Sequence, residues 1–394
     1  MRDLIADKFK VRNYSMGDKL KKSSSNYSHI NLGIGDLDIH TDGIVIEKAM
    51  SDALMGHTHY TNPFGYPELR EEIVSYHKKN FTNYNFESSD VFITTGACHA
   101  LYLAFKSILN VGDEVILFAP FFPVYADQIK LSNGVPKIVK TKMENGFQIE
   151  KDELEKSITA KTKAIVINTP SNPTGVCYNL QSLNIVKEIA EKYDLLVIAD
   201  DVYDFYSYEK PFTPFYTLDG MENRTLSICS FSKDFAMTGW RIGYAISKVP
   251  NLIETMEFIN EGIVYSAPSI SQRAALYALK DFERIKNSNV PLFKERVEYS
   301  YNRIKNIPSL DVFKAEGGIY LFINIEKTGL TSAEFSELVF DKLNITVLDG
   351  NGFGAEGFVR IACTLDIELL KEAFDRLEEF LLSSIVNSQI KIKK

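Results

Sequence analysis

The sequence lacks the features that mark nucleic-acid-binding, membrane-spanning and disulfide-stabilised proteins. Its 44 basic and 52 acidic residues give a net charge of −8, whereas nucleic-acid-binding proteins usually carry a basic surplus or patch. No apolar run approaches the roughly 20 residues that a membrane-spanning helix needs, and the N-terminus has no apolar core like that of a signal peptide. The four cysteines lie far apart and form no Cys-x-x-Cys spacing, which favours free thiols. We therefore expect a cytoplasmic protein that binds neither nucleic acid nor a membrane.

Motifs for nucleotide and metal binding are also missing or incomplete. The sequence contains no Gly-x-x-x-x-Gly-Lys-Ser/Thr loop for a nucleotide phosphate. Gly33 and Gly35 form a Gly-x-Gly pair without the third glycine of the dinucleotide fingerprint, so we expect them to allow a close backbone approach to a ligand. His57 and His59 have no third ligand cluster beside them, and we predict no metal site.

One stretch, residues 230–244, has the composition of a catalytic turn. It follows an apolar run that predicts a buried strand, so Lys233 lies just past a strand end. A lysine amine in a partly dry site loses its proton readily and can then form a Schiff base with a carbonyl. Ser230, Ser232 and Arg241 are donors suited to a phosphate. The combination predicts pyridoxal phosphate, an aldehyde that carries its own phosphate. The alternative is a surface turn with a salt-bridging arginine.

The order of apolar runs and helical segments predicts an α/β fold. From Val91 to Ile246, short continuous apolar runs alternate with helical patterns, which is typical of a mostly parallel sheet covered by helices on both faces. In such sheets, ligands bind beyond the carboxyl ends of the strands. A second, smaller α/β unit follows. We expect a large domain at residues 46–270, and a small domain formed by residues 1–45, with an N-terminal arm, and 271–394.

Polar residues follow two further strand ends at the predicted ligand-binding edge. Asp200 and Asp201 end one strand, and one carboxylate there can keep a pyridine nitrogen protonated while Tyr203 bonds the phenolic oxygen of the ring. The alternative is a strand-end turn with solvated aspartates. Asn172 lies in an Asn-Pro-Thr-Gly segment and can reach the same phenolic oxygen, or the segment is a plain β-turn.

Three weaker signals agree with the same ligand. Gly96, Ala97 and Cys98 open a predicted helix, whose free N–H groups suit a phosphate. Phe122 offers an aromatic face for a pyridine ring, although a core aromatic is equally compatible. Arg360 lies inside an apolar strand and needs a partner, which is either a substrate carboxylate or an internal acid.

Together these residues resemble the class I/II aminotransferase family of fold-type I pyridoxal-phosphate enzymes. The resemblance extends from Asn31 to about Phe380 and rests on Ser-x-Ser-Lys at residues 230–233 with Arg241 after it, Asn-Pro-x-Gly, Asp-x-x-Tyr, and Arg360 in a late strand. It departs from the family pattern near the N-terminus, where Gly-x-Pro-Asp-Phe is replaced at residues 35–39 by Gly-Asp-Leu-Asp-Ile. Because that segment normally shapes the substrate pocket, the choice of substrate stays open.

The resemblance implies a role for each residue in the constellation. Lys233 would form the Schiff base and move the proton of the substrate α-carbon, and Asp200 rather than Asp201 would pair with the ring nitrogen. Arg360 would bind the substrate α-carboxylate, with Gly35 and Asn172 nearby. Tyr60 would reach the phosphate of the neighbouring subunit, which implies a homodimer with shared active sites. The implied cofactor-binding residues are Gly96, Ala97, Cys98, Phe122, Asn172, Asp200, Tyr203, Ser230, Ser232, Lys233 and Arg241.

The function implied by the resemblance is transamination between an L-amino acid and a 2-oxo acid. Donor and acceptor would use one site in turn, in a ping-pong scheme, with aspartate, alanine and aromatic donors all compatible. The same constellation serves a pyridoxal-phosphate-dependent β-lyase or an amino-acid oxidase or hydroxylase, so these remain alternatives. A non-catalytic sensor domain that binds the cofactor is a more distant alternative. Such regulators carry an added DNA-binding domain, and we expect neither room for one before Asn31 nor a basic helix.

Overall fold

The strands and helices of the chain are those of a computed structural model that describes Leu4, Ala6 and residues 26–392, with side chains up to Ser383. The predicted N-terminal arm lies largely outside these residues. The strands are β1 Ile30–Asn31, β2 Val91–Thr94, β3 Glu114–Ala119, β4 Val135–Lys140, β5 Thr162–Asn168, β6 Leu196–Asp200, β7 Thr225–Ser230, β8 Gly243–Ser247, β9 Asp311–Val312, β10 Tyr320–Asn324, β11 Ile345–Thr346, β12 Leu348–Asp349 and β13 Phe358–Ala362. The helices are α1 Gly43–Leu54, α2 Pro67–Asn80, α3 Ala97–Ile108, α4 Val124–Leu131, α5 Lys151–Ser157, α6 Leu180–Tyr193, α7 Leu252–Glu261, α8 Ser269–Lys280, α9 Phe282–Ile304, α10 Ser332–Leu343 and α11 Ile367–Ile392.

A seven-stranded sheet with the order β2-β8-β7-β6-β5-β3-β4 forms the larger unit. The neighbours from β4 to β7 pair in parallel, and β8 runs antiparallel to both β7 and β2. Every residue of β7 is buried, as expected for a central strand covered on both faces. Strands β2, β5, β6 and β7 therefore end at one edge, where ligands of such sheets bind.

Strands β8 and β4 differ from the sequence-based expectation. The apolar run from Arg241 to Ile246 predicts a strand that begins at Arg241, but β8 begins at Gly243, because Arg241 adopts a left-handed conformation with φ of 53° that no strand continues. Strand β4 was not predicted, because it contains Pro136 and two lysines and so lacks a continuous apolar run. In the structure, its Val135 and Ile138 are exposed. Both features are typical of the edge position that β4 occupies.

The smaller unit is built on an antiparallel sheet with the order β12-β13-β10-β9. Its core includes Phe335 of α10 and Phe374 of α11. Helix α9 joins the two units, because its Phe293 packs in the core of the larger unit and its Val297 in that of the smaller one. Near the N-terminus, β1 pairs with β11. The predicted α/β class with a second, smaller unit is confirmed, and we propose the domain division at residues 45/46 and 270/271, which the pairing of β1 with β11 supports.

Among the helices that the structure describes, none is both long and apolar enough to cross a membrane.

Candidate active site

Lys233 lies in the turn that follows β7, as predicted, and its side chain is half-buried. Its Nζ donates a hydrogen bond to the backbone carbonyl of Gly35, which belongs to the segment after β1. A side chain at residue 35 would overlap the Tyr320 hydroxyl, so glycine is required there to bring this backbone against the lysine. The Gly-x-Gly pair thus allows a close backbone approach, to the protein's own lysine and tyrosine.

Asp200 and Asp201 are both buried but make different contacts. Asp200 Oδ2 accepts a hydrogen bond from the Tyr125 hydroxyl, whereas Asp200 Oδ1 is buried and no described residue donates to it. Asp201 Oδ2 accepts from the Ser227 hydroxyl on β7. Burial raises the pKa of Asp200 to about 6 and that of Asp201 to about 8. Of the two, only Asp200 has a buried oxygen still available to a cationic N–H.

A hydrogen-bonded chain of side chain and backbone orients Asp200 and Asn172 at the strand ends. Asn168, the last residue of β5, donates from Nδ2 to the backbone carbonyl of Asp200 at 2.8 Å. Its Oδ1 accepts from the backbone N–H of Asn172 at 2.7 Å. The Asn-Pro-Thr-Gly segment is therefore held by the strand that it follows.

Tyr203 lies in the turn after β6, and its hydroxyl donates to the Tyr320 hydroxyl at 3.3 Å. Both tyrosines are buried, and burial is the largest of the effects that raise the pKa of Tyr203 well above its ordinary value. The phenol therefore stays protonated and can donate a hydrogen bond to an anionic oxygen.

Arg360 lies in the middle of β13, with 2% of its surface exposed. Its guanidinium donates to Asn172 Oδ1 at 2.9 Å and to the backbone carbonyl of Gly33, and stands 4.3 Å from the centre of the Tyr320 ring. The Nε group is buried without an acceptor. Burial lowers the pKa of Arg360 from its ordinary value. The contacts of this cation are thus with neutral groups, and it is suited to a carboxylate ligand.

The predicted phosphate-binding residues converge at the start of α3. Gly96 precedes the helix with φ of 89°, and a Cβ placed on it would lie 2.9 Å from Nη2 of Arg241. The N–H groups of His99 and Ala100 bond back to Gly96, whereas those of Ala97 and Cys98 begin the helix, where no intrahelical acceptor exists. A backbone cradle and a guanidinium therefore meet at one point, as an anion site requires.

The remaining predicted residues lie at varying distances from this point. Ser230 ends β7, and its Oγ accepts from the Ser232 backbone N–H at 3.1 Å, so both hydroxyls lie in the Lys233 turn. Phe122 is half-buried and packs edge-on against Tyr125 at 5.6 Å between ring centres. Tyr60 is 86% exposed and instead packs against the ring of Tyr265.

These groups fit pyridoxal phosphate on four separate counts. An orphaned carboxylate oxygen of Asp200 suits the ring N–H, and the Tyr203 hydroxyl suits the phenolic oxygen. The open helix start beside Arg241 suits the phosphate, and among the described residues the amine of Lys233 bonds a single backbone carbonyl, so it can turn from there to an aldehyde. The donor set is complete for this cofactor.

Two residues of the site were missed in the sequence. Tyr125 holds Asp200, and Tyr320 contacts Gly35, Tyr203 and Arg360 together. Tyr125 belongs to the aromatic segment at residues 120–125, but aromatic residues in a strand-helix connection are usually core. Tyr320 lies in β10, and no local pattern marks it, since its partners come from distant parts of the chain.

Comparisons with known proteins agree with this geometry. The family described as aminotransferase class I and II matches residues 27–377. An aspartate aminotransferase of Pyrococcus horikoshii is 35% identical over 384 residues, which cover 96% of this chain and 96% of that protein. The crystal structure of an aromatic aminotransferase from Pyrococcus horikoshii OT3 has a TM-score of 0.87 at 34% identity, covering 90% of this chain and 96% of that one. A solved alanine aminotransferase from Pyrococcus furiosus has a TM-score of 0.86 at 30% identity, covering 91% and 93%. The residues that the family model matches, 27–377, include the seven-stranded and four-stranded sheets and the positions of all the predicted site residues.

Proposed function

This chain belongs to the class I and II aminotransferase family and is a pyridoxal-phosphate-dependent aminotransferase, and we propose that Lys233, Asp200 and Tyr203 are its catalytic residues. The main support for this proposal is the buried Oδ1 of Asp200, to which no described residue donates and which lies at the same sheet edge as the Lys233 amine. When bound, the cofactor supplies an aldehyde that captures an amine and a ring that takes up the electrons of the α-carbon.

The side chains at the sheet edge then position the reactants and move protons. The amine of Lys233 would take the proton from the substrate α-carbon and deliver it to C4′, the aldehyde carbon of the cofactor. The Asp200 carboxylate holds a proton on the ring nitrogen, because a buried anion is stabilised by an adjacent cationic N–H. The hydroxyl of Tyr203 and the amide of Asn172 hold the phenolic oxygen.

We propose that Gly96, Ala97, Cys98, Ser230 and Ser232 hold the cofactor phosphate. Arg241 completes that set with a guanidinium, and Phe122 stacks on the ring. The left-handed backbone at Gly96, which leaves room for Nη2 of Arg241, supports the assignment.

The substrate α-carboxylate binds Arg360 in this proposal. A carboxylate there replaces the weak acceptors that the guanidinium now contacts, Asn172 Oδ1 and the Gly33 carbonyl, and gains a paired, charge-assisted fork. Gly35 and Asn172 flank the bound acid. The proposed donors are aspartate, alanine and aromatic amino acids, with a 2-oxo acid using the same site in turn.

We further propose a cytoplasmic homodimer with shared active sites. Tyr60 projects from the surface, and Leu54, Met55, Phe258 and Ile263 are large apolar side chains that are also exposed. Such side chains favour burial against a second copy. The four free cysteines agree with a reducing compartment.

An absorbance titration of the purified protein with pyridoxal phosphate tests the reaction. A band of lysine-linked cofactor should form, change on adding one amino acid, and return on adding 2-oxoglutarate, which also names the donor. Loss of the band with release of pyruvate, ammonia or peroxide would instead indicate a lyase or an oxidase. Lys233→Ala is the control, and a wild-type protein that behaves like it would contradict the assignment of Lys233.

A further inference from the structure

Two further acids directly follow proposed catalytic residues in the chain. Asp234 follows Lys233 in the chain, and Asp204 follows Tyr203. These two turns come after the neighbouring parallel strands β7 and β6. The carboxyl groups of Asp234 and Asp204 lie within hydrogen-bonding reach of each other and so join the two turns.

The environment of Asp234 is nearly closed to water. Its side chain is 3% exposed and has an oxygen, Oδ1, without a donor, while the backbone N–H of Phe205 donates to the carboxyl group. Asp204 accepts a hydrogen bond from the Tyr76 hydroxyl at 2.7 Å. Two ionised carboxylates in contact here would repel each other with little solvent between them.

We propose that Asp234 is a protonated positioning residue, which donates its proton to the Asp204 carboxylate and thereby fixes Lys233 relative to Tyr203. Protonation explains the orphaned oxygen, because a neutral carboxyl group has a donor of its own. This inference rests on the proposed roles of Lys233 and Tyr203, but the state of the acid pair can be measured separately.

The neighbouring groups favour the shared proton. Burial, and then the charge of Asp204, raise the pKa of Asp234 well above its ordinary value. The Lys286 side chain acts in the opposite direction, and its Nζ lies 5.0 Å from the centre of the Phe205 ring. The titratable and charged groups that face the pair are Tyr76 from α2, Asp201, Tyr206 and Tyr216 from the segment after β6, Cys229 from β7, Tyr244 from β8 and Lys286 from α9.

The surrounding hydrogen bonds explain how the acid pair would act on the lysine. The Tyr206 hydroxyl donates to the backbone carbonyl of Lys233 at 3.0 Å, and Asn289 donates from Nδ2 to the carbonyl of Asp234 at 3.2 Å. The Tyr206 bond joins the lysine turn to the turn after β6, Asn289 holds the lysine turn from α9, and the acid pair adds a second link between the two turns. A displacement of about 1 Å between reacting groups can reduce a rate by up to about a hundredfold.

Infrared spectroscopy of the loaded protein tests the protonation. The difference between wild type and Asp234→Asn at pH 7 should contain the carbonyl band of one protonated carboxyl group. Asp201 is also buried and protonated, but it is present in both proteins and cancels. In Asp204→Asn the facing charge is gone, so the Asp234 band should disappear at a lower pH than in wild type. A missing band, or an unchanged midpoint in Asp204→Asn, would overturn the proposal.

Kinetics of two variants test the positioning role. Asp234→Ala should lower kcat roughly tenfold to a hundredfold. Asp234→Asn keeps a donor toward Asp204 and an acceptor for the Phe205 N–H, so its kcat should stay close to that of wild type. The KM for the amino acid should change less, because Arg360 is untouched. Equal kcat values for the two variants would contradict the role. If Asp234→Ala does not fold, the infrared comparison of wild type with Asp234→Asn still tests the protonation of Asp234. A wild type without transaminase activity would refute the proposed function but not the protonation of the acid pair.

Discussion

At the scale of single residues, the site depends on polar atoms that the protein buries without satisfying. Asp200 Oδ1 and Arg360 Nε are both buried without partners, although native proteins satisfy most such atoms. Each unsatisfied group costs about 1–3 kcal/mol in an empty site. The ligands are therefore expected to recover that cost, one at the ring nitrogen and the other at the substrate carboxylate.

Replacing Asp200 with asparagine should make cofactor binding less sensitive to acid. In wild type without cofactor the pKa of Asp200 is about 6, so below pH 6 the carboxyl group is protonated and must release a proton to hold the ring N–H. Protonation of Asp200 should then lower the affinity for pyridoxal phosphate by up to about tenfold per pH unit below 6, in addition to the effect of the cofactor phosphate, whose second pKa is about 6. Asp200→Asn should remove the Asp200 contribution to this slope and reduce kcat strongly, measured by fluorescence titration and steady-state assays. An unchanged slope in the variant would show that Asp200 does not contribute to it.

Replacing Arg360 with lysine should weaken substrate binding without affecting the cofactor. The ammonium cannot reproduce a fork of two parallel hydrogen bonds, and charge-assisted hydrogen bonds contribute about 1.5–3 kcal/mol. We expect KM for the amino acid to rise roughly 10- to 100-fold. The absorbance of the bound cofactor should be unchanged. Arg376→Lys is the matched control, because Arg376 is also a buried arginine with an unpartnered Nε among the described residues, but it is paired with Glu372 and bonds Ser28 and the carbonyl of Leu343. An equal rise in KM in both variants would refute the assignment.

At the scale of elements, the sequence predicted the strand ends but not what faces them. The apolar runs of β5, β6 and β7 are buried except at Lys163 and, in part, Leu196, and their ends locate Asn172, Asp200 and Lys233 on one edge. The residues alone left Asp200 and Asp201 as alternatives, and only the resemblance to the family favoured Asp200. The structure distinguishes them through Ser227 and Tyr125, whose distance along the chain from both acids is more than 20 residues. Long-range side-chain partners have no local pattern, which is also why Tyr320 was missed.

The helix start at α3 gives a prediction with an internal control. Gly96→Ala adds a Cβ within 2.9 Å of Nη2 of Arg241, at φ of 89°. We expect cofactor affinity to fall about tenfold or more, because the guanidinium must move, in addition to the stability cost of about 1 kcal/mol for alanine at positive φ. Gly112→Ala has a similar φ of 85° with nothing within 4 Å of the new Cβ. It should share the loss in melting temperature but keep cofactor affinity, and a parallel loss of affinity would point to strain alone.

At the scale of the whole molecule, the proposed active site is assembled from both units. Asp200 ends a strand of the large sheet and Lys233 follows the next one, whereas Arg360 lies in a strand of the small sheet. The segment after β1 lies between them, since the carbonyls of Gly33 and Gly35 accept from Arg360 and Lys233 respectively. A substrate that bonds Arg360 and reacts near Lys233 therefore bridges the two units.

The exposed position of Tyr60 extends the same argument to a second copy of the chain. If Tyr60 completes the partner's phosphate site, Lys233→Ala and Tyr60→Ala should each be weakly active at limiting pyridoxal phosphate. Mixed dimers of the two variants then contain one site with both residues intact. We expect activity to reappear on mixing the two variants through unfolding and refolding, measured with the donor identified in the spectral titration.

The matched control for the mixing experiment is the pair Lys233→Ala and Arg360→Ala. Arg360 and Lys233 of one chain are joined through the Gly33–Gly35 segment, so both belong to one site, and each site of a mixed dimer keeps one lesion. This pair should therefore recover no activity. Recovery with Tyr60→Ala but not with Arg360→Ala would establish shared sites, because only a residue contributed across the subunit interface can be complemented in this way. No recovery in either pair would mean that Tyr60 acts within its own chain or not at all.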